Sequence, residues 1–182
     1  KNTDEKEEMV YFASCLHRGM HKTPGETNNL STAEAFIQLL QETGIHPIYP
    51  AHLEDLCCGT PYSSKGFNKA YKLMAENTVR SLWKTSQQGK LPVVVDTSPC
   101  TYKMLHYDTI LEGEYLEQWK SLNIIDIIAY LNDTIIPRLD LKYKADKIIL
   151  HPTCSTRKMG LDDKMLAVGN ACAEEAVIPE AV

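Results

Sequence analysis

Two cysteines stand side by side in the stretch DLCCGTPYSSKG, at Cys57 and Cys58. Adjacency makes them poor partners for each other. Consecutive Cα atoms lie about 3.8 Å apart, below the roughly 4.4–6.8 Å of a relaxed disulfide. Two thiolates converging on one inorganic centre meet no such obstacle. The chain offers further thiols at Cys15, Cys100, Cys154 and Cys172, and 41 residues separate Cys15 from Cys57 and again Cys58 from Cys100. Four thiolates suit tetrahedral zinc or an iron–sulfur cluster, both of which favour soft sulfur. Structural zinc sites draw on closely spaced Cys-x-x-Cys knuckles, which this chain lacks. Ligands gathered from distant segments suit a larger, bridging redox centre.

Other polar residues carry weaker signals. His17 and His151 lie close in sequence to Cys15 and Cys154 and read first as structural histidines. Arg18 and Arg157 each follow a cysteine by three positions and read either as cations that lower a thiol's pKa or as members of surface ion pairs. Ser63, Ser64 and Lys65 read as a cap for a helix starting at Gly66. Cys172, Trp83 and Trp119 read as core.

The elements that must position the thiols alternate between strand and helix. MVYFAS (9–14), residues 45–49, LPVVVD (91–96) and KIILHP (147–152) read as strands. The unbroken β-branched run at 93–95 predicts burial on both faces, as in a parallel sheet. Helices are expected over 31–43, 66–87, 121–136 and 161–173. The first has Ser31 as N-cap with Glu34 three residues on, and Gly44 to close it. Ala70, Leu73, Met74 and Trp83 mark the expected apolar face of the second. This alternation predicts an α/β fold with a parallel sheet and Rossmann-like layers. Ligands in such sheets collect past the carboxyl ends of strands, where Cys15, Cys100 and Cys154 all fall.

Composition bounds the rest. A net charge of −5 gives no electrostatic footprint for nucleic acid. No run reaches the roughly 18 apolar residues of a membrane span. The opening KNTDEKEE is no signal segment, and six cysteines without one fit a reducing, cytoplasmic compartment.

CLHRGM (15–20) and CSTRKM (154–159) share Cys-x-x-Arg-x-Met, and each follows a predicted strand and precedes a helix. A duplicated unit is therefore expected. Residues 1–8 would be an acidic linker, 9–146 the first repeat, and 147–182 the start of a truncated second one in a longer chain.

LCCGTPYSSKG, DTSPC (96–100) and HPTCSTRKMG (151–160) together resemble the cysteine-rich CCG domain of iron–sulfur oxidoreductases. The likeness is strongest to the C-terminal region of FAD-linked D-lactate or glycolate-type dehydrogenases, and extends to the heterodisulfide reductase B subunit. It implies an electron-transfer domain of a flavin-linked 2-hydroxy-acid dehydrogenase. Cys15, Cys57, Cys58 and Cys100 match the first ligand set, and Cys154 the opening cysteine of a second. FAD would sit in the parent protein and not on this fragment, which would be inactive alone. The implied partners are flavin and ferredoxin-like domains of the same chain or complex, through which any membrane contact would be peripheral. One position departs from the family pattern: Lys103 stands where Cys-x-x-Cys has its last thiol. That departure favours an alternative, a cluster-free or zinc-binding docking module.

Overall fold

The computed structural model describes residues 7–19 and 30–179. Residues 1–6 of the expected linker, Met20 of the first repeated motif and the last three residues lie outside them. Strand β1 (Glu7–Phe12) leads through α1 (Cys15–Gly19) and α2 (Thr32–Glu42) to β2 (Ile45–Ile48). Next come α3 (Thr60–Ser63), α4 (Asn68–Thr85), β3 (Val93–Val95), α5 (Ser98–Met104), α6 (Gly113–Ser121), β4 (Ile124–Asp126) and α7 (Ile127–Tyr130). The described chain closes with β5 (Ala145–Ile149), α8 (Cys154–Lys158), α9 (Asp162–Cys172) and β6 (Ala173–Val177).

Four strands form one parallel sheet in the order β2-β1-β3-β4. Val93, Val94 and Val95 are fully buried, as a strand covered on both faces requires. On one face Val10, Phe12, Val93 and Val95 pack with Tyr71, Ala75, Val79, Leu82, Met104 and Tyr107. On the other, Met9, Tyr11 and Val94 pack with Phe36, Leu40, Tyr130 and Ile135. This is the expected α/β architecture with helices on both faces.

Local chemistry explains several boundaries. The Ser31 hydroxyl accepts from the Glu34 N–H, and the Glu34 carboxylate accepts from the Ser31 N–H, so the expected capping box starts α2. Other readings are corrected. The buried stripe of α4 is Tyr71, Ala75, Thr78, Val79 and Leu82, whereas Leu73 is exposed. The Tyr71 ring turns this face inward by packing on Gly59. Residues 63–65 do not cap α4: Ser63 and Ser64 bond back to Thr60 and Pro61 carbonyls, and the helix starts at Asn68.

The helix expected over 121–136 is instead β4 followed by α7, a π-helical turn at Leu131–Ile135 and a 3₁₀ turn at Ile136–Arg138. Ile124 and Ile125 fit the sheet beside β3, and the Asp126 carboxylate caps the new helix by accepting from the Ile128 N–H. Helix α6 was not foreseen. Cys172 is exposed and not in the core.

β5 and β6 form a separate parallel pair joined through α8 and α9. Its order, strand-helix-helix-strand, repeats that of β1-α1-α2-β2. The likeness reaches single atoms. Ser14 Oγ accepts from the His17 N–H, and Thr153 Oγ1 from the Thr156 N–H. The Arg18 and Arg157 N–H groups bond the Ser14 and Thr153 carbonyls. No helix among the described residues is long and apolar enough to cross a membrane.

Candidate metal centre

Three connections at the carboxyl edge of the four-stranded sheet bring thiols together. Cys15 opens α1 after β1, Cys57 and Cys58 precede α3, and Cys100 lies in the first turn of α5 after β3. Cys58 Sγ donates to Cys100 Sγ at 3.1 Å and lies 3.2 Å from Thr60 Oγ1. Cys57 Sγ accepts from the Gly59 N–H at 3.3 Å and interacts with the neighbouring Cys58 and Cys15 thiols. The four thiols thus form a row that runs from exposed Cys15 through half-buried Cys57 to buried Cys58 and Cys100.

Hydrogen bonding to Cys58, and then burial, push the Cys57 thiol far above the usual thiol range. Cys58 is raised chiefly by its contact with Cys100. Both rest protonated without metal, so a metal entering here displaces protons.

A row is not a tetrahedron. A single zinc with Zn–S bonds of about 2.3 Å would draw its sulfurs to about 3.8 Å of one another. Among the described residues no three of these sulfurs lie mutually within 4.8 Å. The elongated donor set fits a polynuclear centre that spans it.

The loop bearing the adjacent pair is pinned at each carbonyl. Thr78 Oγ1 donates to Cys57 O at 2.9 Å, and Tyr107 OH donates to Cys58 O at 3.1 Å. Arg18 donates from Nη1 to Leu53 O at 2.6 Å and from Nη2 to Leu56 O at 2.9 Å. Arg18 is therefore a clamp on the loop backbone, which corrects its reading as a cation tuning a thiol. Gly59 adopts φ 79°, and a Cβ there would lie 2.5 Å from Tyr71 Cδ2. Glycine is needed both for the left-handed turn and for the aromatic ring laid over it. Lys103 Nζ sits over that same ring, 5.2 Å from its centroid. The position thus carries a half-buried cation beside the thiol loop.

Beneath the row lie two carboxyl groups that the sequence reading passed over. Asp96 follows β3 and its side chain is 1% exposed. Its Oδ2 accepts from Tyr11 OH at 2.9 Å, and its Oδ1 accepts from the Ser14 N–H at 2.9 Å and the Thr97 hydroxyl at 3.1 Å. His17 Nδ1 approaches Oδ2 to 2.9 Å at an angle poor for a hydrogen bond. This carboxylate ties the Cys15 corner to the Cys100 corner. Burial, with the Asp96 charge adding to it, pushes the Tyr11 phenol far above its ordinary range.

Asp126, at the end of β4, is 4% exposed, and its Oδ2 has no hydrogen-bond partner among the described residues. Burial raises its pKa, with a smaller contribution from Asp96, against the lowering effect of the Ile128 N–H, Thr101 and Ser98. Between the unfolded and the raised folded value the native chain binds more protons than the unfolded one. Stability therefore falls as pH rises through that window and stays lower above it. Asp126→Asn keeps an oxygen for the Ile128 N–H and removes the charge. The variant is expected to be more stable than the parent at pH 7, with the gain vanishing at pH 3, in urea unfolding at both values.

Cys154 opens α8, which packs against α5, but its thiol is exposed and outside the row. His151 is exposed as well.

Residues 9–104 match the profile of the CCG cysteine-rich domain. The chain belongs to that family. It is also 24% identical over 154 residues to lactate utilization protein A of Macrococcus caseolyticus (strain JCSC5402), covering 82% of this chain and 57% of the relative. The CCG chain thus spans little more than half the length of that relative. No solved structure matches it.

Proposed function

We propose that this CCG domain carries an iron–sulfur electron-transfer centre on Cys15, Cys57, Cys58 and Cys100, within a flavin-linked system that oxidises a 2-hydroxy acid such as lactate. The carrying observation is the row of four thiols brought from three separate connections to one edge of the sheet, each beside the next. The lactate utilization protein among its relatives supports the substrate class. FAD and ferredoxin-like clusters belong to other domains or partners in this reading. A bound cluster supplies one-electron transfer. The chain's own residues would hold it: Arg18, Thr78 and Tyr107 fix the loop, and Asp96 fixes the spacing of Cys15 and Cys100. In the same reading Cys154 starts the ligand set of a second unit, whose opening is the β5-α8-α9-β6 element.

Lys103 favours a second reading, a docking module with zinc or bare thiols, because it leaves the first unit four thiols and no fifth. Iron, acid-labile sulfide and zinc content of the full-length protein, purified anaerobically, separate the two. Several irons with matching sulfide per chain, lost on Cys58→Ser, are expected. Zinc alone moves the assignment to the docking module, and absence of iron and sulfide overturns the cluster.

A further inference from the structure

The innermost two thiols have a chemistry of their own when no metal is bound. Cys58 and Cys100 are 3% and 8% exposed, and their sulfurs are 3.1 Å apart with the Cys58 S–H directed at Cys100. They come from different elements, so the strain that bars a bridge between adjacent Cys57 and Cys58 does not apply. Each backbone is already held: Tyr107 fixes Cys58 O, and the Cys100 N–H donates to Thr97 O in the first turn of α5. Bond formation requires the sulfurs to close by about 1 Å, to the roughly 2.05 Å of a disulfide.

We infer that Cys58 and Cys100 are a reversible oxidation site for peroxide, closing a disulfide that shuts the metal-free centre to metal. Cys100, the more exposed of the two, attacks one peroxide oxygen. The O–O bond breaks, an S–O bond forms, and the thiol proton leaves with the other oxygen as water. Cys58 sulfur then attacks Cys100 sulfur. The S–S bond forms, the S–O bond breaks, and the second oxygen leaves as water with the Cys58 proton. Two thiols are oxidised and one hydrogen peroxide is reduced to two waters. A dithiol reductant reverses the bridge by exchange. With both inner sulfurs tied to each other, the row is left with Cys15 and Cys57, too few to hold a cluster.

The metal-blocking half of this inference rests on the reading under Proposed function; the bridge itself does not. The test uses the full-length protein, stripped of metal, reduced, and treated with one equivalent of hydrogen peroxide. Alkylation and peptide mapping should show the segment with Cys57 and Cys58 joined to residues 91–103, which hold Cys100. The bridge should persist in Cys57→Ser and vanish in Cys58→Ser. Iron and sulfide are then offered to the reduced and oxidised forms. Uptake by the reduced form, loss of at least 10-fold on oxidation and recovery with dithiothreitol are expected. Three results overturn the inference: no bridge, an equal bridge in Cys58→Ser, or equal uptake by bridged and reduced protein. Failure of the reduced form to take up iron, with the bridge intact, overturns the cluster reading and leaves the oxidation site standing.

Discussion

Asp96→Ala is expected to lower the stability of the fold by about 4 kcal/mol and to separate Cys15 from Cys100. The substitution strips a fully buried carboxylate from the Tyr11 hydroxyl, the Ser14 N–H and the Thr97 hydroxyl. Hydrogen bonds to a charged group contribute about 1.5–3 kcal/mol each, and the donors left behind at this depth have no water to turn to. The sum exceeds the net loss, because the chain also sheds the cost of burying a charge. Asp96→Asn is the informative control. Its amide oxygen can keep the Ser14 and Thr97 donors while the Tyr11 hydroxyl turns round to accept from the amide nitrogen. About half the loss is expected. Urea unfolding of the three proteins at pH 7 checks the ordering, and equal stability of Asp96→Ala and parent would remove the carboxylate from its place as the tie between β1 and β3.

The two sets of residues around the centre were not equally legible in the sequence. Cysteine is informative by type alone, and Cys15 and Cys100 each follow a strand whose apolar run can be read directly. The parallel sheet follows from the same runs, so the carboxyl edge where the thiols meet was foreseeable. What holds them was not. Asp96 stands in the quoted DTSPC, yet a carboxylate after a strand is common in loops, and only the fold brings Tyr11, Ser14 and His17 around it. Arg18 shows the same limit. Its position three residues after Cys15 suggested a cation for a thiol, but the guanidinium turns to backbone carbonyls of a loop distant in sequence. Helical spacing also misled at residues 121–136. Isoleucines there satisfy either period, and the Ile124–Asp126 segment becomes a strand because β3 offers it a free edge.

The Arg18 clamp makes a further result expected. Arg18→Met should cost about 3 kcal/mol and weaken metal binding about 10–100-fold, the usual effect of removing a group that orients ligands. Two carbonyls, Leu53 O and Leu56 O, lose charged donors in one step. Leu56 directly precedes Cys57 and Leu53 lies four residues before it. Without Arg18 the backbone of the adjacent cysteines is held by the carbonyl ties to Thr78 and Tyr107. Lysine cannot replace the fork, since one ammonium on a flexible stem does not span two carbonyls in fixed directions. Arg18→Lys should therefore fall nearer Met than the parent. Loss of stability alone would also reduce metal binding, and a core variant on the far side of the sheet separates the two causes. Phe36→Leu thins the cluster around Tyr11 and Tyr130 and should cost about 1–2 kcal/mol while leaving the Arg18 guanidinium and its two carbonyl bonds in place. Cadmium uptake, followed by the absorption of the thiolate–metal bond, is expected to fall for Arg18→Met and to hold for Phe36→Leu. Equal uptake by all three proteins would mean that the two thiols need no help from the clamp, and that Thr78 and Tyr107 alone set their place.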